Sequence, residues 1–386
     1  MVLLLMAGCS SVHRKPVPID KMDSATIPGM PGIRDWSDRP SRHFQEDLVQ
    51  AVRDGWATEA SVTGDHPVNV LVLSGGGSNG AFGAGFLNGW SESGTRPVFK
   101  LVTGISTGAL TAPYAFLGPD YDDELETVFT NVTNKDIYTI RNPLVVFKKD
   151  SLATTKPLAR KIEEVVTAEL LAAIAEEHSK GRRLFVATTN LDTQRLVVWN
   201  MGAIAASGHP GSLELFRSVL LASSSIPVAF PPVYFEVEVD GERYDEMHVD
   251  GGVMAELFLW GAMVDIAEAT RQLQVDQTKR PEVSIYVIRN GQIDASIEQV
   301  RPNLVNIATR SMITLLKSVA TADLLRIWAL SERHGIDFNY VGIPHTHSEA
   351  TVSAFNPAEM RRLFDLGREL ALAPGSWRSD PPPWVQ

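Results

Sequence analysis

Short apolar runs alternate with amphipathic segments along most of this chain. Val70–Leu73 is an apolar run stopped by Ser74 and three glycines, which reads as a buried parallel strand. Lys100–Thr103 reads as a second short strand, and Leu184–Thr189 with Arg195–Trp199 as a hairpin joined by Asn190-Leu191-Asp192-Thr193. Val233–Val239 and Glu242–Val249 alternate apolar and polar residues around Asp240-Gly241, a strong hairpin signal. Val283–Ile288 and Asp337–Val341 complete the predicted strands. Helical spacing marks Phe44–Trp56, Tyr121–Val132, Leu158–His178, Leu213–Leu221, Gly261–Leu273, Pro302–Glu332 and Pro357–Leu372, with a small-residue helix starting at Ala81. The expected architecture is a three-layer α/β fold, a mostly parallel sheet flanked by helices. The stretch 133–158 has no clear period, and its patch Leu144–Phe147 reads as a strand or core plug in preference to a cap over a ligand site.

Two glycine-rich turns interrupt this pattern. The first follows Val70–Leu73 and contains Gly75, Gly76, Gly77, Ser78 and Gly80. Backbone amides there would face outward beside a helix N-terminus, ready to bind developing negative charge. Gly83, Gly85 and Gly89 in the next helix each cost about 1 kcal/mol against alanine, so that helix is expected to lie very close to the sheet. The second turn is Gly104-Ile105-Ser106-Thr107-Gly108, a G-x-S-x-G sequence after an apolar strand. Such a turn exposes its serine hydroxyl above the sheet, and glycine at 104 and 108 avoids collisions across it. A dinucleotide site would want an acidic residue about 20 positions on, but Thr95-Arg96-Pro97 stands there. A P-loop would want Lys after Gly80, which is followed by Ala81. Both nucleotide readings fail, leaving an oxyanion loop and a nucleophile elbow.

A third element, Asp250-Gly251-Gly252, ends a predicted strand. Together with the two turns it resembles the patatin-like phospholipase family, whose signatures are G-G-G-x-R/K-G, G-x-S-x-G and D-G-A/G. Ala222-Ser223-Ser224-Ser225-Ile226-Pro227 with Phe230-Pro231-Pro232 is similar to a further block of that family. The resemblance covers about residues 67–375. It implies a patatin-like fold with a nucleophile elbow, a Ser106–Asp250 dyad without histidine, and hydrolysis of phospholipid or lysophospholipid esters. In one departure, Asn79 stands where the family usually has a basic residue, so the loop is expected to act through backbone amides and not through charge.

Composition is ordinary for a globular protein, and net charge is −11 with a pI near 5.3. That balance argues against a nucleic-acid partner and against electrostatic attraction to anionic lipid. No apolar run approaches the ~18 residues of a membrane-spanning helix. The one cysteine, Cys9, follows Leu5-Met6-Ala7-Gly8, which resembles a bacterial lipoprotein signal whose cysteine receives lipid. Ser10 after it resembles lipoproteins sorted to the outer membrane. The chain is therefore expected to comprise a truncated lipoprotein signal (1–8), a flexible Pro/Gly spacer after a lipidated cysteine (9–43), a lead-in helix (44–66), a catalytic domain (67–375) and a loose tail (376–386). The expected location is the bacterial envelope, lipid-anchored, with membrane lipids as substrates.

Serine ester hydrolysis needs a nucleophile, a base and a site for the oxyanion. Ser106 and Asp250 are the candidates for the first two. An aspartate near its ordinary pKa of about 3.9 is a weak base, so burial must raise it. His248, two residues before Asp250, reads as a core or supporting residue. His209, His345 and His347 have no carboxylate or cysteine neighbour in sequence, so no metal site is expected, and no cofactor. The expected protein is a serine acyl hydrolase. The alternative is an envelope lipoprotein that keeps the fold but only binds lipid or scaffolds an assembly. Serine, aspartate and glycine loop are all present, which favours the enzyme.

Overall fold

The computed structural model describes residues 14–56, 68–142, 149–259, 263–264, 282–294, 297, 299–345 and 355–382. Eleven strands are named in chain order among them: β1 Arg34–Trp36, β2 Val68–Leu73, β3 Leu101–Gly104, β4 Thr139–Ile140, β5 Ala153–Thr154, β6 Arg183–Asn190, β7 Arg195–Asn200, β8 Val233–Val239, β9 Glu242–Asp250, β10 Val283–Gln292 and β11 Asp337–Ile343. Nine of them form one mixed sheet in the order β1-β7-β6-β3-β2-β10-β11, with β9 pairing to β6 and β8 to β9. The five strands from β6 to β11 along that path run parallel, while β7, β1 and the β8–β9 hairpin are antiparallel.

The parallel strands are apolar throughout because both sheet faces are covered. Leu71, Leu73, Val102, Leu184 and Val186 point into one apolar layer; Val70, Val72, Leu101, Phe185, Ile285 and Val287 point into the other. The first layer packs against the helices Gly80–Glu92, Thr107–Leu117 and Ser212–Ser223, the second against the long helix Leu304–His334. This is the expected three-layer α/β arrangement. The predicted helix 158–178 is two helices, Lys156–Val165 and Ala168–Ser179. Thr167 caps the second by accepting the Leu170 amide, which restarts the helix at a polar residue.

Three expectations are corrected. Residues 14–43 are not a flexible spacer. Val17, Ile27, Met30, Ile33 and Trp36 are buried, β1 pairs with β7 at one sheet edge, and Arg14 bonds Asp192 and Asp245. Prolines and glycines there shape a tight, packed path, and the intervening apolar residues supply its anchor points. The tail is likewise not loose up to residue 380: Trp377 packs edge-to-face against Phe86, Trp90 and Tyr286, and Arg378 pairs its backbone with Tyr340. Finally, Gly85 and Gly89 do not face the sheet. A Cβ on either would sit 1.9 Å from the Phe364 carbonyl or 2.4 Å from that of Arg368, both on the helix Pro357–Leu372. Only Gly83 approaches the sheet, beside Ile288 and Asn290 of β10. The lead-in helix starts at Arg42, capped by Ser41, runs to Ala51 and ends in a π-type turn to Trp56. The predicted helix 261–273, except for Met263 and Val264, the patch 144–147, His347 and Cys9 lie outside the described residues.

Candidate active site

The C-terminal ends of β2 and β3 lie side by side in the sheet, Leu73 opposite Gly104, so the two glycine turns open at one edge. Open α/β sheets place their ligands at such strand ends. Ser106 sits at the tip of the second turn with φ 54° and ψ −123°, a region a non-glycine residue enters only when its surroundings hold it there. The surroundings are specific. The Ser106 amide donates to Ser223 Oγ at 2.9 Å, and Ser223 Oγ donates to the Ala187 carbonyl at 2.8 Å. A Cβ at Gly104 would lie 2.4 Å from the Gly108 carbonyl, and one at Gly108 would lie 2.5 Å from that of Leu73. The elbow is therefore closed by backbone on both sides, as the spacing predicts.

The glycine loop is shaped from below by β10. Gly76 has φ 155° and Gly77 φ 58°. A Cβ on Gly76 would sit 2.2 Å from the Asn290 carbonyl. Asn290 fastens the loop: its amide donates to Ser74 Oγ at 2.8 Å and its side-chain nitrogen to the Ser74 carbonyl at 2.9 Å. Its Oδ1 accepts the Gly83 amide at 3.1 Å, which satisfies one of the free donors in the first turn of the helix Gly80–Glu92. Gly75, Gly76, Gly77 and Asn79 line a cavity shared with Ser106 and Asp250. Ser78 and Gly80 do not line it. Gly80 is packed behind, where a Cβ would meet Thr107 Oγ1 at 2.2 Å and Phe129 at 2.6 Å, so its glycine serves helix packing. Asn79 is buried, and its side-chain oxygen has no hydrogen-bond partner among the described residues.

Asp250 reaches the same cavity from the end of β9, whose last residues pair with β6 at Thr188. The Asp250 amide donates to the Ser225 carbonyl at 3.0 Å, so the 223–225 serines hold both candidate residues. Its Oδ1 accepts the Gly252 amide at 2.8 Å. Burial pushes its pKa up to about 7, although a hydrogen bond with Ser106 and the Gly252 amide pull it down. Gly251 is glycine because a Cβ would lie 2.7 Å from the Ala187 carbonyl. His248 is engaged elsewhere. It is fully buried, with Nδ1 2.8 Å from Thr188 Oγ1 and Nε2 3.1 Å from Glu246. Burial lowers its pKa, opposed by Glu246.

Sequence reading missed Glu256, Arg289 and Asn290, which also line the cavity. Glu256 had a signal: a charged residue inside Val253–Leu259, an otherwise apolar run just after the Asp-Gly-Gly turn. Arg289 and Asn290 sit at the end of β10, and only the strand order brings that end beside β2.

The family model for the patatin-like phospholipase domain matches residues 71–263, half of the chain. The chain belongs to the patatin-like phospholipase family, and that membership supports a lipid hydrolase. Among solved structures it is similar to VipD from Legionella pneumophila at 13% identity and TM-score 0.36, over 79% of this chain and 66% of that one. It is also similar to human GIVD cytosolic phospholipase A2 at 10% identity and TM-score 0.33, over 81% of this chain and 55% of that one. No curated protein matches the chain.

Proposed function

We propose that this protein is a serine acyl hydrolase that cleaves ester bonds of phospho- or lysoglycerolipids, with Ser106 as nucleophile and Asp250 as base. The observation that carries the reading is the convergence of Ser106, Asp250 and Gly75–Gly77 on one cavity from three separate strand ends. In acylation the Ser106 oxygen attacks the ester carbonyl while its proton passes to Asp250. The carbonyl oxygen becomes an oxyanion beside the amides of the glycine loop. Collapse expels the alcohol, which takes the proton from Asp250 and leaves an acyl-serine. Water then gives a proton to Asp250 and attacks the acyl carbonyl; collapse expels the Ser106 oxygen, which takes that proton back from Asp250 as the fatty acid leaves. A base near pKa 7 fits this exchange better than an ordinary carboxylate, because it both accepts and returns the proton near neutral pH. Ile226, Pro227, Val253, Met312, Ile313 and Leu316 give the cavity an apolar wall suited to an acyl chain.

A fluorophosphonate probe tests the reading without knowledge of the natural lipid. Wild type should be labelled and Ser106→Ala should not; equal labelling of both would remove the assignment. We further propose that Cys9 carries lipid and tethers the protein to the bacterial envelope, at the outer membrane. The support is the Leu5–Ser11 sequence alone. Two or more acyl chains give stable anchoring where one is marginal. Cys9→Ser should move the protein into the soluble fraction; unchanged membrane partition would refute the anchor.

A further inference from the structure

Glu256 has no part in the reaction just described, yet its carboxyl lies at the centre of the site. A Cβ on Gly75 would fall 2.6 Å from Glu256 Oε2 and 3.2 Å from the Ser106 Cβ. A Cβ on Gly252 would fall 2.6 Å from Glu256 Oε1 and 3.1 Å from Asp250 Oδ1. Neither glycine has a positive φ, so the backbone does not require glycine at either position. The nearest atoms to a side chain in both places belong to the Glu256 carboxyl, so a residue larger than glycine at either position would have to displace it. It therefore occupies a slot between the glycine loop, where an oxyanion would form, and the turn that holds Asp250.

The slot is built to keep it there. Asp323 Oδ2 accepts the amides of Glu256 at 2.8 Å and Leu257 at 3.1 Å, pinning the segment to the helix Leu304–His334. Glu256 is buried, and the Gly75 amide hydrogen-bonds its carboxyl. The groups facing it are Asp250 from β9, Arg289 from β10, and Asp323 from the long helix. On that same helix Arg326 pairs with Asp323, and Lys317 lines the cavity with its ammonium donating to the Asp294 carbonyl. Two buried carboxyls next to one another do not both ionise at the same pH; the pair gives up its protons in two steps.

We propose that Glu256 is a positioning residue that stores a proton for this site: as a neutral acid between Gly75 and Gly252, it leaves Asp250 as the ionised partner of Ser106 and keeps negative charge away from the oxyanion loop. The proposal rests on the hydrolase reading and names the ionisation state in which that dyad works. Once Glu256 ionises, a carboxylate stands against the loop whose amides must meet the oxyanion, and its existing hydrogen bond with the Gly75 amide tightens. Turnover should then fall. Burial and the neighbouring Asp250 charge push Glu256 up to about 8, and burial pushes Asp250 up to about 7; of the two, Asp250 has more donors on its carboxyl, Ser106 and the Gly252 amide, and these hold its ionised form.

The test is the rate of fluorophosphonate labelling at Ser106 across pH 5–10, for wild type and for the nearly isosteric Glu256→Gln. Wild type should rise through an acid limb and fall above an alkaline one, by about tenfold per pH unit for a single ionisation. Glu256→Gln should keep the acid limb and lose the alkaline fall, so that at pH 10 it labels at least about tenfold faster than wild type. A residue that only props up the loop would change the rate equally at every pH. The proposal is overturned if wild type shows no alkaline fall, a measurement that needs no variant, or if Glu256→Gln retains it. A wild type that takes no label at any pH removes the hydrolase reading together with this one; labelling with an unchanged profile removes this one alone.

Discussion

β9 holds two buried acidic groups four residues apart, Glu246 at its middle and Asp250 at its C-terminal end, and they behave in opposite ways. Glu246 is buried and faces the Arg34 guanidinium, which lies 3.0 Å from its Oε1, and His248. Burial pushes this carboxyl up, but Arg34 and His248 more than reverse that, leaving it well below the usual carboxylate range. Asp250 is equally buried, yet what it meets is a hydroxyl and a backbone amide, and its pKa rises to about 7. The first group is fixed in its charged form and joins the N-terminal segment to the sheet. The second is poised to exchange a proton. Burial alone thus does not give a carboxylate its role; what faces it does, a cation for Glu246, a hydroxyl and a backbone amide for Asp250.

The largest expected effect lies at the poised carboxyl. Ser106→Ala and Asp250→Asn should each lower ester hydrolysis by at least about 10³-fold, since residues that act as one unit fail together. Both should leave the far-UV circular dichroism unchanged. If Asp250→Asn kept near wild-type turnover, the contrast between the two carboxyls would lose its functional meaning.

At the fixed carboxyl the loss should fall on stability. Arg34→Met leaves Glu246 buried without its cation, and removing one partner of such a pair costs roughly 3–5 kcal/mol. Urea unfolding would measure it, and kcat of the folded fraction should stay within about tenfold of wild type, because that change does not touch the reacting atoms. Stability near wild type would mean that solvent reaches Glu246 after all.

The glycine loop gives a mid-sized effect and a small one. Gly77 has φ 58°, so Gly77→Ala strains the loop and should cut kcat by about 10², as for one lost oxyanion donor, with less change in KM. Asn79→Ala should cost less than about tenfold, because a backbone oxyanion site does not use its side chain. Both can be read on a short-chain p-nitrophenyl ester. Equal damage from the two would make the Asn79 amide a donor in its own right.

The subtlest difference is in the pH dependence of stability. Asp250 has a folded pKa raised above the unfolded value of about 3.9, so its contribution is fully present below that value and is lost as pH rises through about 7. Glu246 has a depressed folded pKa, so its contribution is present above the ordinary value of about 4.3 and is lost as pH falls through the folded one. Asp250→Asn, uncharged at every pH, should therefore raise the melting temperature at pH 8 by a few degrees and leave it nearly unchanged at pH 4. Glu246→Gln should lower it at pH 8. Calorimetry at the two pH values decides; an equal shift of Asp250→Asn at both would deny that its carboxyl is held protonated by burial.

Much of this was legible in the chain. The strands carry their own periodicity: β2, β6, β7, β8, β9, β10 and β11 contain the runs that predict them, and β3 is displaced from its run by one residue. The elbow glycines were readable because G-x-S-x-G states a local steric need, and 2.4–2.5 Å approaches at Gly104 and Gly108 are that need in space. The packing of residues 14–43 was not readable, since proline and glycine content describes a path and not what it lies against. Gly85 and Gly89 announced a close approach, but the partner expected was the sheet, and it proved to be a helix about 280 residues later in the chain.

The sequence by itself determined the family, the three-layer class, and the residue types at the two turns and at Asp250, because those rest on local rules of periodicity, turn geometry and motif spacing. Tertiary structure alone decided the chemistry's surroundings. Strand order set β10 beside β2, so Asn290 could brace the loop; the path of β9 set Glu246 against Arg34 and Asp250 against Ser106; and the long helix pinned Glu256 beside both. A pKa depends on what lies within a few ångströms in any direction, and no rule of sequence spacing reports that distance.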